Sequence, residues 1–364
     1  MAKRLKKKLV LEDGSVFSGL SFGSEEDKLS ELVFNTSMVG YQEILSDPSY
    51  TDQAVVMTFP SMGNYGINDS DFESRNPGIN ALIVRDYTEY PNHFECTETL
   101  EDTMKRYNIS GIFGVDTRAL TRIIREKGSL KALITDEETP LEECMSRLSA
   151  FDYAHDAINR AARTKREIYP ADEARFRVVA IDCGMKMNIV NCLNRLGVSV
   201  TVVPFDTSAA EILALHPDGI FVSNGPGDPT DAKATIEAVR ELKGKFPIFG
   251  ICLGHQIISL AYGAKTYKLK FGHRGGNHPV MNLKTGRTEI TSQNHSYAVD
   301  EESLKATDLT VTHINLLDNT IEGVECEKDK VFGVQYHPES APGPNDSRYL
   351  FTKFIENMEN YKNA

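Results

Sequence analysis

A cysteine between two glycines is the feature of this sequence that most directly indicates catalysis. Cys252 lies between Gly250 and Gly254, after the apolar run Pro247–Gly250 and before the helix-like segment Gln256–Tyr262. This is the cysteine form of a nucleophile elbow, a sharp strand-to-helix turn that presents a reactive side chain. Glycines remove Cβ atoms that would clash in the turn, and the amino end of the following helix favours a thiolate. The pattern predicts that Cys252 is a nucleophile rather than a buried, inert cysteine.

A histidine and a glutamate near the C-terminus could activate that thiol. His337 follows the apolar run Val331–Tyr336, and Glu339 comes two residues later, with Pro338 between them. In an extended chain the two side chains project to the same side, and proline stiffens the connection. A catalytic thiol needs a base, and the base needs a group that orients it. By itself His337 would be a satisfied core histidine. Beside the elbow it is predicted to carry the proton of Cys252, with Glu339 holding the imidazole tautomer.

A glycine- and proline-rich loop could stabilise the reaction intermediate. The apolar run Gly219–Val222 ends in the segment Ser223–Pro229, which contains Gly225 and Gly227. Backbone N–H groups of this loop could form an oxyanion hole together with the amide of Leu253. A plain connecting turn is equally compatible with the composition.

Other constellations are weaker. His273 and His278 lie among glycines, but no carboxylate or cysteine stands at ligand spacing, so the sequence predicts a loop there and no metal site. Asn294 and Ser296 follow a strand-like segment and could line a pocket. The sequence contains neither a P-loop nor a G-x-G-x-x-G motif, so nucleotide chemistry is expected to belong to another chain.

The elements that must position these residues alternate along the C-terminal half. The apolar runs are Arg177–Ile181, Val198–Val203, Gly219–Val222 and Pro247–Gly250. The helix-like segments are Asn188–Leu196, Ser208–Leu215, Asp231–Leu242 and the closing Ser347–Met358. Strands without a polar face that alternate with helices are typical of a parallel sheet covered on both sides. The sequence predicts an α/β domain over residues 177–364, with a mainly parallel central sheet flanked by helices.

The first part of the chain has a different pattern. Residues 1–150 mix short strand candidates with helical segments and begin with a hairpin, Lys8–Leu11 and Ser15–Gly19 around the turn Asp13-Gly14. They are predicted to form a separate mixed β/α domain. Residues 151–176 are polar and charged, and we expect them to be the connector between the two domains.

Composition limits the class of protein. The chain has 364 residues and a net charge of −12, which fits about two domains and argues against nucleic acid as the main ligand. No apolar run approaches the roughly 18 residues of a membrane span, and no signal peptide is recognisable. Six scattered cysteines are typical of reduced, cytoplasmic proteins. The expectation is a cytoplasmic protein that binds neither nucleic acid nor membrane.

Three motifs together resemble the class I, triad-type glutamine amidotransferases. They are the segments Gly225–Pro229, Gly250–Gln256 and His337–Glu339, in that order. The whole chain, nearly end to end, resembles the small subunits of carbamoyl-phosphate synthetases. The segments that carry this wider resemblance are Val33–Tyr50, Asp116–Arg118, Arg125–Gly128, Asp182–Asn188 and Phe271–Pro279.

The resemblance implies that L-glutamine is hydrolysed to glutamate and ammonia through a thioester on Cys252. It also implies a glutamine pocket made by Ser49, Gly225, Gly227, Leu253, Gln256, Asn294, Ser296 and Tyr297. Ser296 and Tyr297 depart from the glycine and phenylalanine that the family often has, which matters little if their contacts are made by the backbone.

The resemblance further implies a partner. A large subunit would use ATP and Mg to make carbamoyl phosphate from bicarbonate and the ammonia delivered through an internal tunnel. The chain itself would need no cofactor. It would form a heterodimer with that subunit, or a larger assembly of such heterodimers, and serve pyrimidine or arginine biosynthesis.

Three alternatives remain at this point. The chain could be the glutaminase part of another synthetase, such as those for anthranilate or GMP, but these lack the first ~150 residues. It could be a non-catalytic subunit, which would be expected to have lost Cys252, His337 or Glu339. It could be a free-standing cysteine hydrolase, which would be fully active without a partner.

Overall fold

The computed structural model describes residues 4–75 and 77–363, and the chain divides into two compact units, Met1–Ala154 and His155–Ala364. The predicted connector, residues 151–176, is divided by this boundary. Part of it is regular structure, with a helix at Ala157–Ala161 and a strand at Glu167–Tyr169. The domain limits proposed from the sequence stay a prediction.

The N-terminal unit is built on a closed barrel. Its strands are β1 (Lys6–Leu11), β2 (Val16–Gly23), β3 (Lys28–Asn35), β4 (Gln53–Met57), β6 (Ala81–Ile83), β8 (Ser110–Phe113) and β9 (Leu130–Asp136), in the order β1-β2-β8-β6-β4-β3-β9. A separate parallel pair joins β5 (Ser61–Met62) and β7 (Asp86–Tyr87). The helices of this unit are α1 (Tyr41–Ser46), α2 (Leu100–Arg106), α3 (Thr117–Lys127) and α4 (Leu141–Ala150). The sequence predicted a mixed β/α domain but not that the sheet closes.

The predicted hairpin is confirmed. Strands β1 and β2 pair antiparallel, and the turn between them places Gly14 at φ 85°, a conformation that glycine adopts without steric cost. The N–H of Ser15 donates to Asp13 Oδ1 at 2.9 Å, so the aspartate closes the turn with its own side chain. Strand β1 also pairs with β9, the last strand of the unit, and this pairing closes the barrel.

The C-terminal unit contains one large mixed sheet. Its strands are β10 (Glu167–Tyr169), β11 (Phe176–Asp182), β12 (Val198–Pro204), β13 (Gly219–Val222), β14 (Ile248–Ile251), β15 (Thr266–Asn282), β16 (Arg287–Val299), β17 (Thr310–Asn315), β18 (Ile321–Cys326) and β19 (Val331–Val334). They lie in the order β10-β12-β11-β13-β14-β19-β18-β17-β15-β16. The central strands from β12 to β19 are parallel, and the strands on either side of them are antiparallel.

Helices cover both faces of the parallel strands, as the sequence predicted. They are α5 (Ala157–Ala161), α6 (Met187–Arg195), α7 (Ala209–Leu213), α8 (Lys233–Leu242), α9 (Leu253–Ala261) and α11 (Tyr349–Lys362). A further helix, α10 (Glu301–Leu304), packs in a separate apolar cluster with residues of β16 and β18. Alternate residues of β11 enter two different cores. Val178 and Ala180 pack with residues of α6 and α11, whereas Val179 and Ile181 pack with residues of α7, α8 and α9. The predicted α/β class is confirmed.

The expectation of a loop around His273 and His278 is wrong. Both residues lie in β15, a long strand whose pairing with β16 shifts between Lys268 and His273 and again between Gly275 and His278. Glycine-containing bulges interrupt the ladder without ending the strand. The high glycine content therefore marks irregular pairing and not a connection.

Two observations concern the chain as a whole. All six cysteines are free. Among the helices that the structure describes, none is both long enough and apolar enough to span a bilayer.

Candidate active site

The elbow forms at the point where β14 meets α9. Cys252 is the N-cap of α9 and has φ 54° and ψ −105°, a conformation that L-residues rarely adopt. A Cβ on Gly250 would lie 2.6 Å from the backbone carbon of Gly254, and a Cβ on Gly254 would lie 2.1 Å from the Val222 carbonyl oxygen. Both flanking glycines are therefore required by the close approach of strand and helix.

Hydrogen bonds fix the backbone and the sulfur of Cys252. Its N–H donates to the Val334 carbonyl at 2.8 Å, and its carbonyl accepts the Gln256 N–H at 3.2 Å. The thiol donates to the Asn294 carbonyl at 3.5 Å. The residue is only 3% exposed, and the amino end of α9 provides a favourable field for a thiolate.

His337 and Glu339 form a buried pair just after β19. His337 Nδ1 and Glu339 Oε1 are 2.6 Å apart, and both side chains are almost completely excluded from solvent. The His337 backbone N–H donates to the Ser292 carbonyl at 2.9 Å, which fixes the turn. His337 Nε2 has no hydrogen-bond partner within residues 4–75 and 77–363. This nitrogen is therefore available for a proton exchanged with the sulfur or the substrate.

The two groups shift each other's pKa in opposite directions. Burial lowers the pKa of His337, but the Glu339 carboxylate and hydrogen bonds raise it well above its ordinary range. The Cys252 thiol also contributes to this rise. Burial raises the pKa of Glu339, but Lys186 and His337 lower it to about 2. Each shift favours the charged form of its group, imidazolium for His337 and carboxylate for Glu339.

The predicted oxyanion loop lies against the elbow. It follows β13, and a Cβ on Gly225 would lie 2.1 Å from the Cys183 carbonyl oxygen and 2.8 Å from a side-chain carbon of Leu253. Gly227 is exposed and has φ 87°. As the first residue of α9, Leu253 has an N–H that no helical carbonyl can accept.

Gln256 is held beside the nucleophile. Its Nε2 donates to the Tyr297 carbonyl at 2.8 Å and to Gln335 Oε1 at 2.9 Å. Tyr297 thus contributes a backbone atom here. Ser296 accepts a hydrogen bond from the guanidinium of Arg274.

Gln335 is a functional candidate that the sequence reasoning missed. It is fully buried, and its Nε2 lies 3.7 Å from the Cys252 sulfur. A signal was present, because residues 335, 337 and 339 alternate in an extended chain and project to one side. The same two-residue spacing that placed His337 and Glu339 on one side of the extended chain also places Gln335 there.

Ser49 is the one predicted pocket residue in the N-terminal unit. It lies in the 3-10 helix Pro48–Tyr50, and its N–H donates to Asp47 Oδ1 at 2.9 Å. All other predicted site residues lie in the C-terminal unit. The contact of Ser49 with glutamine stays a prediction.

A buried group of potential metal ligands lies in the antiparallel part of the sheet. His273, His295 and Glu322 have ligand atoms within 4.8 Å of one another. His273 Nε2 is already 2.8 Å from Asp318 Oδ2. The Glu322 oxygens accept from Asn315 at 2.8 Å and from Gln293 at 3.0 Å. Because most of these groups have protein partners, we interpret the group as an ion-paired network. Its carboxylates follow the histidines by many residues, so sequence spacing did not indicate them.

Comparison with known proteins places the fold and these residues in context. Residues 179–357 match the family model of class-I glutamine amidotransferases, which defines the class of the C-terminal unit. Residues 9–134 match the carbamoyl-phosphate synthase small chain, CPSase domain. The chain belongs to the carbamoyl-phosphate synthase small chain family.

Curated relatives cover nearly the full length. The carbamoyl phosphate synthase small chain of Fusobacterium nucleatum is 51% identical over 354 residues, which is 97% of this chain and 98% of the relative. The small chain of one Staphylococcus epidermidis strain is 49% identical over 357 residues, covering 98% and 97%. That of Bacillus cereus is 50% identical over 358 residues, covering 98% and 97%.

A solved structure also aligns with the chain. It is described as a GMP synthase subunit from Thermoplasma acidophilum, with a TM-score of 0.45 and 22% identity, and covers 52% of this chain and 96% of that one. At this TM-score the likeness carries no argument about function.

Proposed function

We propose that this chain is the glutaminase subunit of a glutamine-hydrolysing carbamoyl-phosphate synthase, with Cys252, His337 and Glu339 as its catalytic residues. The observation that carries the proposal is the buried arrangement of these three side chains at the ends of the neighbouring strands β14 and β19. The same chain matches the family over both of its units.

The reaction follows from the chemistry of the three groups. The Cys252 thiolate attacks the side-chain amide carbon of glutamine, and the carbonyl oxygen becomes an oxyanion. The intermediate collapses to a thioester as the C–N bond breaks, and His337 supplies the proton with which ammonia leaves. Water then attacks the thioester and His337 takes its proton. The C–S bond breaks, which releases glutamate and regenerates the Cys252 thiolate. Glu339 keeps the imidazole oriented and stabilises its charged form.

The amide of Leu253 and the loop at Gly225 and Gly227 are proposed to stabilise the oxyanion. The closeness of Gly225 to the Leu253 side chain supports this role, because Leu253 is the first residue of α9. The proposed glutamine contacts are Ser49, Gly225, Gly227, Leu253, Gln256, Asn294, Ser296 and Tyr297. Hydrogen bonds from Gln256 to Tyr297 and from Cys252 to Asn294 support the grouping of those within the C-terminal unit.

The proposal includes a partner. A large subunit would use ATP and Mg to combine bicarbonate with the released ammonia, which would reach it through an internal tunnel. The two chains would form a heterodimer or a larger assembly, in the cytoplasm, and serve pyrimidine or arginine biosynthesis. The match over residues 9–134 favours this synthase over those for anthranilate or GMP.

Glutamate release by the wild type and by Cys252→Ala, with and without the large subunit, tests the proposal. We expect slow hydrolysis by the wild-type chain alone, much faster turnover with the partner and its substrates, and no turnover by the variant. Equal rates in the two proteins would exclude Cys252 as the nucleophile. A wild-type rate indifferent to the partner would favour a free-standing hydrolase.

A further inference from the structure

We propose that Ser296 and Arg274 together recognise the α-carboxylate of glutamine, with Arg274 orienting the Ser296 hydroxyl and Ser296 donating it to the substrate. The inference rests on the proposed function and deepens it, because it assigns a side-chain contact where a backbone contact would have sufficed. Ser296 stands at a position where the family often has glycine, which has no hydroxyl to offer. Ser296 is thus a specificity-determining residue, and Arg274 is a positioning residue that acts through it.

The two side chains lie on one face of the ribbon formed by β15 and β16. Arg274 pairs with Asn294 in the antiparallel register, and the pairing is regular over the segment from His273 to Gly275. Ser296 follows Asn294 by two residues. Cross-strand partners and residues two apart project to the same face of a sheet. The Asn294 carbonyl accepts the Cys252 thiol at 3.5 Å, so this part of the ribbon lies beside the nucleophile.

The guanidinium of Arg274 occupies a defined position. The residue is only 3% exposed. Its Nη1 donates to the Phe271 carbonyl at 2.8 Å, and its Nη2 donates to the Ser296 hydroxyl. Gly272 has φ 70°, and a Cβ there would lie 2.6 Å from Nη1 and 2.4 Å from the His295 carbonyl oxygen. Glycine at this position therefore leaves the space that the guanidinium needs to reach Ser296.

The hydrogen bond from Arg274 fixes what the Ser296 hydroxyl can do. A serine hydroxyl has one proton to donate and accepts through its oxygen. Because the guanidinium donates to that oxygen, the proton must point elsewhere, and within residues 4–75 and 77–363 it has no acceptor. A hydroxyl that accepts from a cation becomes a stronger donor to an anion. Ser296 is only half-buried, so a ligand can reach this proton.

Charge identifies the group that this proton would meet. Glutamine carries an α-carboxylate, an α-ammonium and the neutral side-chain amide that Cys252 attacks. The eight proposed glutamine contacts include no lysine or arginine, so none of them supplies a positive charge for the carboxylate. Arg274 provides a cation that bonds directly to one of the eight. Since the carboxylate takes no part in bond breaking, the pair serves substrate binding and not the chemical step.

The test uses the complete complex with its large subunit and compares L-glutamine with γ-aminobutyramide, which is glutamine without its α-carboxylate. Ser296→Ala should raise KM for glutamine by roughly 10–100-fold and leave kcat within about twofold, because the lost hydrogen bond to a charged group is the same in ground and transition states. The Ki of γ-aminobutyramide as a competitive inhibitor of glutamine hydrolysis should not change.

Arg274→Gln should raise KM as well, and the double variant should lose no more than the more damaged single variant, because the two residues act as one unit. Arg287→Gln is the matched control, since it removes an exposed guanidinium from the other end of the same ribbon, opposite Asn282. Its KM should equal that of the wild type.

Two results would overturn the inference. One is a wild-type KM for glutamine in Ser296→Ala. The other is a Ki for γ-aminobutyramide that weakens by the same factor as KM, which would indicate a general distortion of the pocket. If Arg274→Gln does not fold, Ser296→Ala and Ser296→Gly decide the question alone. Retention of the wild-type rate by Cys252→Ala would instead overturn the proposed function.

Discussion

The backbone N–H of Cys252 donates to the carbonyl oxygen of Val334 at 2.8 Å. This bond ties the nucleophile turn to the strand that leads directly to Gln335 and His337. Strands β14 and β19 are parallel neighbours in the sheet, with Gly250 opposite Gly333. The antiparallel strands β15 to β18 come between β14 and β19 in the sequence. In the sheet they lie on the far side of β19, so they do not separate the two strands. The separation of thiol and imidazole is therefore set by one strand pair.

Removal of the base should cost more activity than removal of its orienter. We expect His337→Asn to lower kcat for glutamate release by roughly 10³-fold or more, and Glu339→Gln by roughly 10–100-fold, because proton transfer is a larger effect than orientation. Glu339→Gln also removes the carboxylate that raises the pKa of His337. The loss of activity at high pH, where the imidazolium gives up its proton, should therefore begin at lower pH. Steady-state kinetics over a range of pH measures both effects, and the reverse order of the two losses would mean that their roles are misassigned.

Gln335 should matter because its amide points at the reacting sulfur. Gln335→Leu removes the N–H that lies 3.7 Å from the sulfur, and we expect kcat to fall about tenfold or more. Alkylation of Cys252 by iodoacetamide at neutral pH should slow in parallel. Gln293→Leu is the control, since it removes a buried amide that bonds Glu322 and not the nucleophile. Equal losses of kcat in Gln335→Leu and Gln293→Leu would mean that Gln335 contributes only to packing.

The oxyanion loop can be tested by one added methyl group. In Gly225→Ala the new Cβ would lie 2.1 Å from the Cys183 carbonyl, so the loop must move away from the elbow. We expect kcat/KM for glutamine to fall by roughly 10²-fold, as for loss of an oxyanion donor. Gly286→Ala is the control: it has φ 69° with open space around it, so it adds backbone strain alone. A Gly225→Ala enzyme with wild-type kinetics would exclude the loop from the site.

The network around His273 should make stability depend on pH. Burial lowers the pKa of His273, but Asp318 and Glu322 raise it to about 9 from 6.5. A raised pKa contributes stability that is fully present below pH 6.5 and is lost as pH rises through about 9. The contribution is about 3 kcal/mol. Urea unfolding at pH 6 and pH 9.5 should show this loss of unfolding free energy in the wild type and a smaller loss in His273→Gln. An equal loss in the two proteins would contradict the assignment.

The sequence predicted the features that depend on local pattern. The elbow at Cys252, the parallel strands and their helices follow from short-range periodicity and glycine placement, and the structure has them. The barrel was missed because its closure depends on pairing of β1 with β9, the first and last strands of the unit, which no local pattern encodes. The network at His273 was missed for the same reason, since Asp318 and Glu322 reach it from another hairpin.

The backbone conformation of Cys252 serves catalysis but lowers the stability of the folded chain. A side chain at φ 54° costs on the order of 1–3 kcal/mol, and glycine would relieve that cost while removing the sulfur. Cys252→Gly should therefore unfold at a higher temperature than the wild type. A laboratory selection that rewarded only heat resistance would then enrich inactive chains, so any attempt to stabilise this protein must score ammonia release and melting together.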